Sequence, residues 1–126
     1  MSIILIAEDD PLISAVLCQR LVAHGHIIVM TPDGGSSLRA LQWVRPDLVI
    51  VDARLPDMIS TEWLEMLDAR GFGRLPKIML FQPGAVRDRD HIARTGFAAC
   101  LSKPVDLEKL LRHVFYSLAT GYAAAA

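Results

Sequence analysis

The sequence has few cysteines and few aromatic residues. Its 126 residues include two cysteines, and Phe, Trp and Tyr together make up 6% of the chain. Cys18 and Cys100 lack the C-x-x-C spacing of redox and metal motifs, so we interpret them as reduced core thiols rather than a disulfide or a metal pair. The sequence therefore gives no indication of a disulfide-stabilised scaffold or a zinc module.

A strong net charge and a long hydrophobic run are also missing. Thirteen basic and fourteen acidic side chains give a formal charge of −1, so we expect no direct contact with nucleic acid. The apolar runs at residues 3–7 and 48–51 are much shorter than the ~20 residues that a membrane-spanning helix needs. Since no secretory signal is evident either, we expect no membrane segment and a cytoplasmic location.

The composition is that of a folded domain. Hydrophobic residues make up 52% of the chain and charged residues 21%, which is enough apolar material for one hydrophobic core at this length. We expect a single domain over residues 1–119. An alanine-rich tail follows at residues 120–126, and we predict no function for it.

Apolar runs and helical patterns alternate along the chain. Five runs bounded by turn residues predict five buried strands, at residues 3–7, 27–30, 48–51, 78–81 and 98–101. The stretches between them have helical periodicity, as at Leu12, Val16, Leu17 and Leu21, and near the end at Leu107, Leu110, Leu111, Val114 and Leu118. Asp10 and Asp106 are predicted to cap the first and last helices. The pattern predicts a doubly wound (βα)₅ α/β domain with a parallel sheet.

Charged side chains follow three of the predicted strands. Glu8 and Asp9 come after the first strand, Asp52 after the third and Lys103 after the fifth. Ligands of open α/β sheets bind beyond the carboxyl ends of the strands. If these three ends lie close together, three carboxylates and one ammonium group share a crevice, where like charges need a cation. Oxygen ligands without nearby His or Cys favour Mg²⁺.

Each of these residues alone has an ordinary structural explanation. The acidic residues at 8–10 could be a solvated helix start, where negative charge suits the helix dipole. Asp52 could end a turn, and Lys103 could be a surface residue before Pro104. Their joint occurrence at three strand ends is what favours a functional site.

Three segments give the chain a specific resemblance. The stretches I-L-I-A-E-D-D-P at 4–11, P-D-L-V-I-V-D-A-R-L-P-D-M at 46–58 and L-S-K-P-V-D-L-E-K-L-L at 101–111 resemble the hallmark segments of response regulator receiver domains of two-component signalling. The similarity extends to Leu118. It implies a flavodoxin-like topology, with a five-stranded parallel sheet in the order 2-1-3-4-5.

The resemblance implies a role for each charged residue. Asp52 would accept a phosphoryl group, Asp9 would bind Mg²⁺ directly, and Glu8 would act on the metal largely through water. Arg54 would give its backbone carbonyl to the metal. Lys103 would contact the phosphoryl oxygens, and the peptide bond after it would be cis.

The resemblance also implies partners. A sensor histidine kinase or a histidine phosphotransfer protein would supply the phosphoryl group, and a downstream protein or output domain would respond, so that the chain signals rather than acting as an enzyme. Receivers commonly pair through their fourth helix, fifth strand and fifth helix. The candidate for a homodimer contact is the stretch 87–94, which contains Arg87, Asp88, Arg89, Asp90 and Arg94. An ordinary solvated helix is an equally open interpretation.

Two switch positions depart from the family pattern. Phe81 stands at the end of the fourth strand, where most receivers carry Ser or Thr, and Gln82 follows it. Cys100 stands in the fifth strand, where an aromatic residue is usual. We expect an atypical switch, in which Phe81 fills the space that the aromatic ring would enter or Gln82 donates the missing hydrogen bond.

Three alternatives stay open beside a phosphorylated receiver. The departures at 81 and 100 allow a pseudo-receiver, an interaction module that phosphorylation does not regulate. A Mg²⁺-dependent phosphatase of the haloacid dehalogenase type would need an Asp nucleophile after the first strand, where this chain has Glu8. A nucleotide or flavin binder would need a glycine-rich loop there, and the sequence has none.

Overall fold

The computed structural model describes residues 1–83 and 96–121. Nine helices and strands lie in this part of the chain: β1 (Ile3–Ala7), α1 (Pro11–Ala23), β2 (Ile27–Thr31), α2 (Gly34–Val44), β3 (Leu48–Asp52), α3 (Ser60–Ala69), β4 (Lys77–Phe81), β5 (Ala99–Ser102) and α4 (Leu107–Thr120). The candidate dimer stretch at 87–94 lies outside the described residues, so α4 corresponds to the fifth predicted helix.

The five strands form one parallel sheet. Their order is β2-β1-β3-β4-β5, which confirms the expected topology. The register pairs Ala7 with Val51 and Asp52 with Leu80, and farther along the sheet Phe81 pairs with Ser102. The carboxyl ends of these parallel strands therefore lie side by side at one end of the sheet, which we call the carboxyl edge.

Helices pack against both faces of the sheet. One core cluster joins alternate strand residues to α2 and α3, and its members include Leu5, Val51, Met79, Leu38 and Trp63. The other joins the intervening strand residues to α1 and α4, and its members include Ile6, Ile50, Leu80, Leu17 and Leu110. Because helices cover both faces, β3 and β4 are buried at every residue, and their apolar runs are continuous rather than alternating.

The structure corrects two expectations about burial. Only part of the apolar pattern predicted for α1 faces the core: Leu17 and Leu21 are buried, whereas Leu12 is 76% exposed and Val16 is 46% exposed. The sheet covers only one side of α1. Leu12 and Val16 lie on the side that faces away from the sheet, so they are exposed. The second and fifth predicted strands are not fully buried, because β2 and β5 are the two edge strands of the sheet.

Side chains cap α1 and α4 as the sequence predicts. The Asp10 carboxylate accepts a hydrogen bond from the Leu12 amide at 2.9 Å, and Asp106 accepts one from the Lys109 amide at 3.1 Å. Both caps are confirmed. Asp33 caps α2 by accepting a hydrogen bond from the Ser36 amide at 2.7 Å.

Neither a disulfide bond nor a membrane-spanning helix is found in the described part of the chain. Cys18 and Cys100 form no disulfide bond. Within residues 1–83 and 96–121, no helix combines the length and the apolar character needed to cross a bilayer.

Candidate functional site

The sheet brings the predicted site residues together at its carboxyl edge. Glu8 and Asp9 directly follow β1, and Asp52 is the last residue of the neighbouring strand β3. Lys103 follows β5, which is separated from β3 by β4. The Lys103–Pro104 peptide bond is cis, as predicted, and the long Lys103 side chain spans the remaining distance.

A buried ammonium group joins two carboxylates. Lys103 Nζ lies 2.7 Å from Asp52 Oδ2 and 3.1 Å from Glu8 Oε1. All three residues are at most 7% exposed. Burying charged groups is costly unless they are paired and hydrogen-bonded, and removing one partner leaves the others uncompensated. We call Glu8, Asp52 and Lys103 the buried triad. Each of its charged groups has lost hydration, and the ion pairs between them compensate for this loss.

The buried triad contains one ammonium group and two carboxyl groups, so one positive charge faces up to two negative charges. Burial, assisted by the negative charge of Asp52, raises the pKa of Glu8 to about 7, although Lys103 acts in the opposite direction. Burial alone would lower the pKa of Lys103, but its hydrogen bond and charge interaction with Asp52, followed by those with Glu8, outweigh burial and raise it. Lys103 is thus firmly protonated, while Glu8 is poised to ionise when further positive charge arrives.

Three carboxylates converge closely enough to share a cation. One oxygen each of Glu8, Asp9 and Asp52 lies within 4.8 Å of the others. Asp9 is exposed, so this cluster opens to solvent on one side. Glu8 Oε2 is buried and has no hydrogen-bond partner in the described part of the chain. An unpaired buried oxygen and an all-oxygen donor set fit a small, hard divalent cation, for which Mg²⁺ is the natural candidate.

The loop after Asp52 closes on itself. The Arg54 amide donates to Asp52 Oδ1 at 3.0 Å, and the Leu55 amide donates to the Met58 carbonyl at 3.0 Å. The Ser60 amide donates to the Ala53 carbonyl, also at 3.0 Å. We call residues 53–59 the acceptor loop. Its backbone at Arg54 lies beside the Asp52 carboxylate, while the Arg54 side chain is exposed.

The predicted switch residues lie in two different environments. Phe81 is buried at 5% exposure, and Cys100 is half-buried against the same core cluster, on the side of the sheet that α2 and α3 cover. Gln82 is exposed beyond the end of β4. The structure thus brings Phe81 and Cys100 to one face of the sheet and leaves Gln82 at the surface.

Sequence reasoning missed a contact of the acceptor loop. Asp57 accepts hydrogen bonds from the Gly34 and Gly35 amides at the start of α2, each at 2.8 Å. The only signal in the sequence was the pair of glycines at a helix opening, where glycine is unfavourable without a special reason. The partner lies more than twenty residues away, so no local pattern could have identified it.

Most of the chain matches a known protein family. Residues 4–115 match the model of the response regulator receiver domain. The chain is 30% identical to the transcriptional regulatory protein GlrR of Escherichia coli over 88% of this chain and 25% of GlrR. It is 32% identical to an uncharacterized 14.6 kDa protein of Leptolyngbya boryana, over 88% of this chain and 86% of that protein. The chain also spans less than half of the length of TcrX of Mycobacterium tuberculosis.

Solved structures have the same fold. The signal receiver domain of a signal transduction histidine kinase from Syntrophus aciditrophicus matches with a TM-score of 0.86 and 27% identity, covering 95% of this chain and 92% of that chain. A response regulator receiver protein from Pseudomonas putida matches with a TM-score of 0.85 and 23% identity, covering 91% and 96%.

Receiver domains are signalling modules of two-component systems. Phosphorylation and Mg²⁺ binding at an acidic pocket are general features of the family, as are interactions with histidine kinases or phosphotransfer proteins and with output domains. The sheet order, the acidic cluster at the carboxyl edge and the match over residues 4–115 lead to one conclusion. This chain belongs to the response regulator receiver domain family.

Proposed function

We propose that this receiver accepts a phosphoryl group on Asp52, in a Mg²⁺-dependent reaction, from a phosphohistidine of a sensor histidine kinase or a histidine phosphotransfer protein. The observation that carries the proposal is the buried Lys103 ammonium group, which contacts Asp52 and Glu8 beside Asp9. Residues 1–119 form the receiver domain and residues 120–126 are a tail without a part in the reaction. A downstream protein or output domain reads the modified state, and the cytoplasmic location stays a prediction.

Asp52 is the nucleophile of the transfer. A carboxylate oxygen of Asp52 forms a bond to phosphorus, and the bond between phosphorus and the imidazole nitrogen of the donor breaks, with its electron pair left on that nitrogen. The Arg54 amide holds one Asp52 oxygen and Lys103 holds the other. Lys103 already contacts the attacking group, so it is in reach of the incoming phosphoryl oxygens and offsets their negative charge.

Asp9, Glu8, Asp52 and the Arg54 carbonyl are the ligands that would hold Mg²⁺, with Asp9 binding directly and Glu8 largely through water. The ion would supply positive charge to the transferring group. Asp9 suits direct binding because it is exposed at the mouth of the cluster, whereas Glu8 is buried and shares Lys103. The buried Glu8 oxygen without a partner supports the assignment.

The switch is atypical in this proposal, whereas the chemistry is ordinary. Phe81 and Cys100 carry no group that the transfer needs, because charge stabilisation comes from Lys103, the metal and the loop backbone. The missing hydroxyl would supply one hydrogen bond to a charged group, worth about 1.5–3 kcal/mol. Buried Phe81 packs on the side of the sheet where Cys100 lies, which supports the idea that it fills the space of the usual aromatic ring.

Phosphorylation by a small phosphodonor tests the proposal. The protein is incubated with acetyl phosphate or phosphoramidate, with Mg²⁺ or with EDTA, and its intact mass is measured. We expect one added phosphoryl group only with Mg²⁺, and none in Asp52→Asn. A phosphorylated Asp52→Asn protein would overturn the assignment of the acceptor.

Failure of the parent protein with several donors would have a different meaning. It would favour the pseudo-receiver, in which the acidic pocket persists but phosphorylation does not regulate the chain. The departures at Phe81 and Cys100 are the observation that keeps this second candidate in view.

A further inference from the structure

The acceptor loop is anchored to the first turn of α2. Both carboxylate oxygens of Asp57 accept hydrogen bonds from consecutive amides, Oδ1 from Gly34 and Oδ2 from Gly35, each at 2.8 Å. These amides belong to the first turn of the helix, where backbone N–H groups have no partner within the helix and the dipole favours negative charge. A carboxylate that bridges two such amides makes strong, charge-assisted hydrogen bonds.

The glycines make this approach possible. A Cβ atom on Gly34 would lie 2.5 Å from Met58 Cγ and Sδ, and one on Gly35 would lie 3.2 Å from Asp57 Oδ2. Alanine at either position would favour the helix itself, since glycine costs about 1 kcal/mol in a helix. The Gly-Gly opening therefore exchanges helix stability for close contact with the acceptor loop.

A second contact ties α3 to the same turn. The buried Trp63 indole donates to Ser37 Oγ at 3.0 Å, and the Ser37 hydroxyl donates to the Gly34 carbonyl at 2.7 Å. Gly34 is thus bonded through its amide to the acceptor loop and through its carbonyl, by way of Ser37, to the helix that follows that loop. The loop and the helix after it are fixed to the same point of α2.

The anchor is connected to Asp52 through the loop backbone. Asp57 lies within the turn closed by the hydrogen bond from the Leu55 amide to the Met58 carbonyl. Arg54 precedes this turn, pairs with Ile59 across it, and donates its amide to Asp52 Oδ1. A displacement at Asp57 is therefore transmitted to the backbone of Arg54, which touches the acceptor carboxylate.

We infer that Asp57 is a positioning residue for the reaction at Asp52, because it fixes the acceptor loop and with it the Arg54 backbone against the start of α2. The inference rests on the proposed function for its link to phosphorylation. A loop held in place before the reaction does not have to be ordered during it, which favours metal binding and transfer. By reciprocity, Mg²⁺ binding or phosphorylation at the site affects the first turn of α2.

The test compares Asp57→Ala with Asp33→Ala. Asp33 caps the same helix by accepting a hydrogen bond from the Ser36 amide, so its removal also weakens α2 and also removes one negative charge. Mg²⁺ affinity is measured by calorimetric titration, and the phosphorylation rate by intact mass with acetyl phosphate, at a temperature where both variants are folded. We expect Asp57→Ala to weaken Mg²⁺ binding about tenfold, the lower end for loss of an outer-shell partner. Asp33→Ala should stay close to the parent protein in both measurements.

Hydrogen exchange supplies an independent readout. Mg²⁺ should slow exchange of the Gly34 and Gly35 amides in the parent and in Asp33→Ala, and it should have no such effect in Asp57→Ala. If Asp57→Ala does not fold, Asp57→Asn replaces it, since asparagine keeps one acceptor oxygen and should give an intermediate loss of Mg²⁺ affinity.

Two outcomes would overturn the inference. Equal losses of Mg²⁺ affinity in Asp33→Ala and Asp57→Ala would mean that Asp57 only stabilises α2, and unchanged affinity in both would mean that the anchor has no influence on the site. Failure of the proposed function is distinguishable from these results. If the parent is not phosphorylated, the Mg²⁺ and exchange measurements still decide on Asp57, and if it is phosphorylated while Asp57→Ala behaves as Asp33→Ala, only the anchor is wrong.

Discussion

Two buried lysines lie at opposite ends of strands in the same sheet. Lys77 begins β4 and is 3% exposed, while Lys103 follows β5 and is 7% exposed. Their partners differ in charge. Lys77 donates to the Gly73 and Leu75 carbonyls at 3.0 and 2.8 Å, whereas Lys103 contacts two carboxylates.

Their pKa shifts are opposite in direction. Burial lowers the pKa of Lys77, and the more distant charge of Asp68 offsets this only in part. Burial acts on Lys103 in the same direction, yet the neighbouring carboxylates raise its pKa. The charge of the partner, rather than burial, therefore separates a lysine that secures loop carbonyls from one that holds an acidic site together.

Replacement of each lysine by methionine should give the largest contrast. Lys103→Met should slow phosphorylation of Asp52 by about 100-fold or more, because loss of one group that stabilises developing charge typically costs that much. Lys77→Met should leave the rate unchanged but lower the free energy of unfolding by about 1–3 kcal/mol, since two carbonyls lose their donor. Intact mass over time and urea unfolding measure the two effects. Equal slowing in both variants would contradict the contrast.

The second prediction concerns two adjacent aspartates at the carboxyl edge. Asp9→Asn should weaken Mg²⁺ binding by about 10- to 100-fold, because one unit charge within a few ångströms of the ion is lost. Asp10→Asn should have little effect, since asparagine caps a helix as well as aspartate does. The variants are matched in shape and charge change. Equal losses in a calorimetric titration would show that Asp9 is not a ligand.

The third prediction is a pH dependence that arises from Glu8. Its pKa in the folded protein, about 7, lies above its ordinary value of 4.5. The folded state then binds the proton more tightly, so this stabilisation is complete below the unfolded pKa and is lost as the pH rises through about 7.

Without Mg²⁺, the stability of the parent relative to Glu8→Gln should therefore fall as the pH rises from about 5 to about 8. Glutamine cannot ionise, so the variant removes this contribution and retains the others. The raised pKa of Lys103 acts only above its ordinary value of 10.5 and does not enter this window. Urea unfolding at several pH values measures the difference. A difference in stability that does not change with pH would mean that the pKa of Glu8 is not raised.

The smallest effect is expected at the switch residues. In the parent, phosphorylation should cause only small amide shift changes in β5, because Phe81 is already buried and no hydroxyl responds to the phosphoryl group. Phe81→Thr combined with Cys100→Tyr should enlarge these changes. Two-dimensional NMR before and after phosphorylation measures them. Large shifts in the parent that Gln82→Ala abolishes would identify Gln82 as a replacement donor.

Local patterns explain how much of this fold could be predicted. Continuous apolar runs identify β3 and β4 because both faces of these strands are covered, and Asp10 and Asp106 are recognisable caps because the cap and its amide lie within three residues. Burial on α1 was predicted less well. Leu12 is as apolar as Leu17, and only the position of the sheet decides which of them is buried.

The site also has features that the sequence predicts and features that it does not. The charged residues at strand ends were identifiable, because parallel strands bring their carboxyl ends to one edge. The sharing of Lys103 between Glu8 and Asp52, the raised pKa of Glu8 and the contact of Asp57 with α2 were not. These features depend on distances between residues far apart in sequence, and on burial that only the packed structure determines.

Locating the phosphoryl group tests the central claim most directly. Borohydride reduces an aspartyl phosphate to homoserine, which peptide mass spectrometry assigns to a single position. After treatment with acetyl phosphate and Mg²⁺, we predict homoserine at position 52, and none after treatment with acetyl phosphate and EDTA. Homoserine at any other position, or equal amounts with Mg²⁺ and with EDTA, would contradict Mg²⁺-dependent phosphorylation of Asp52.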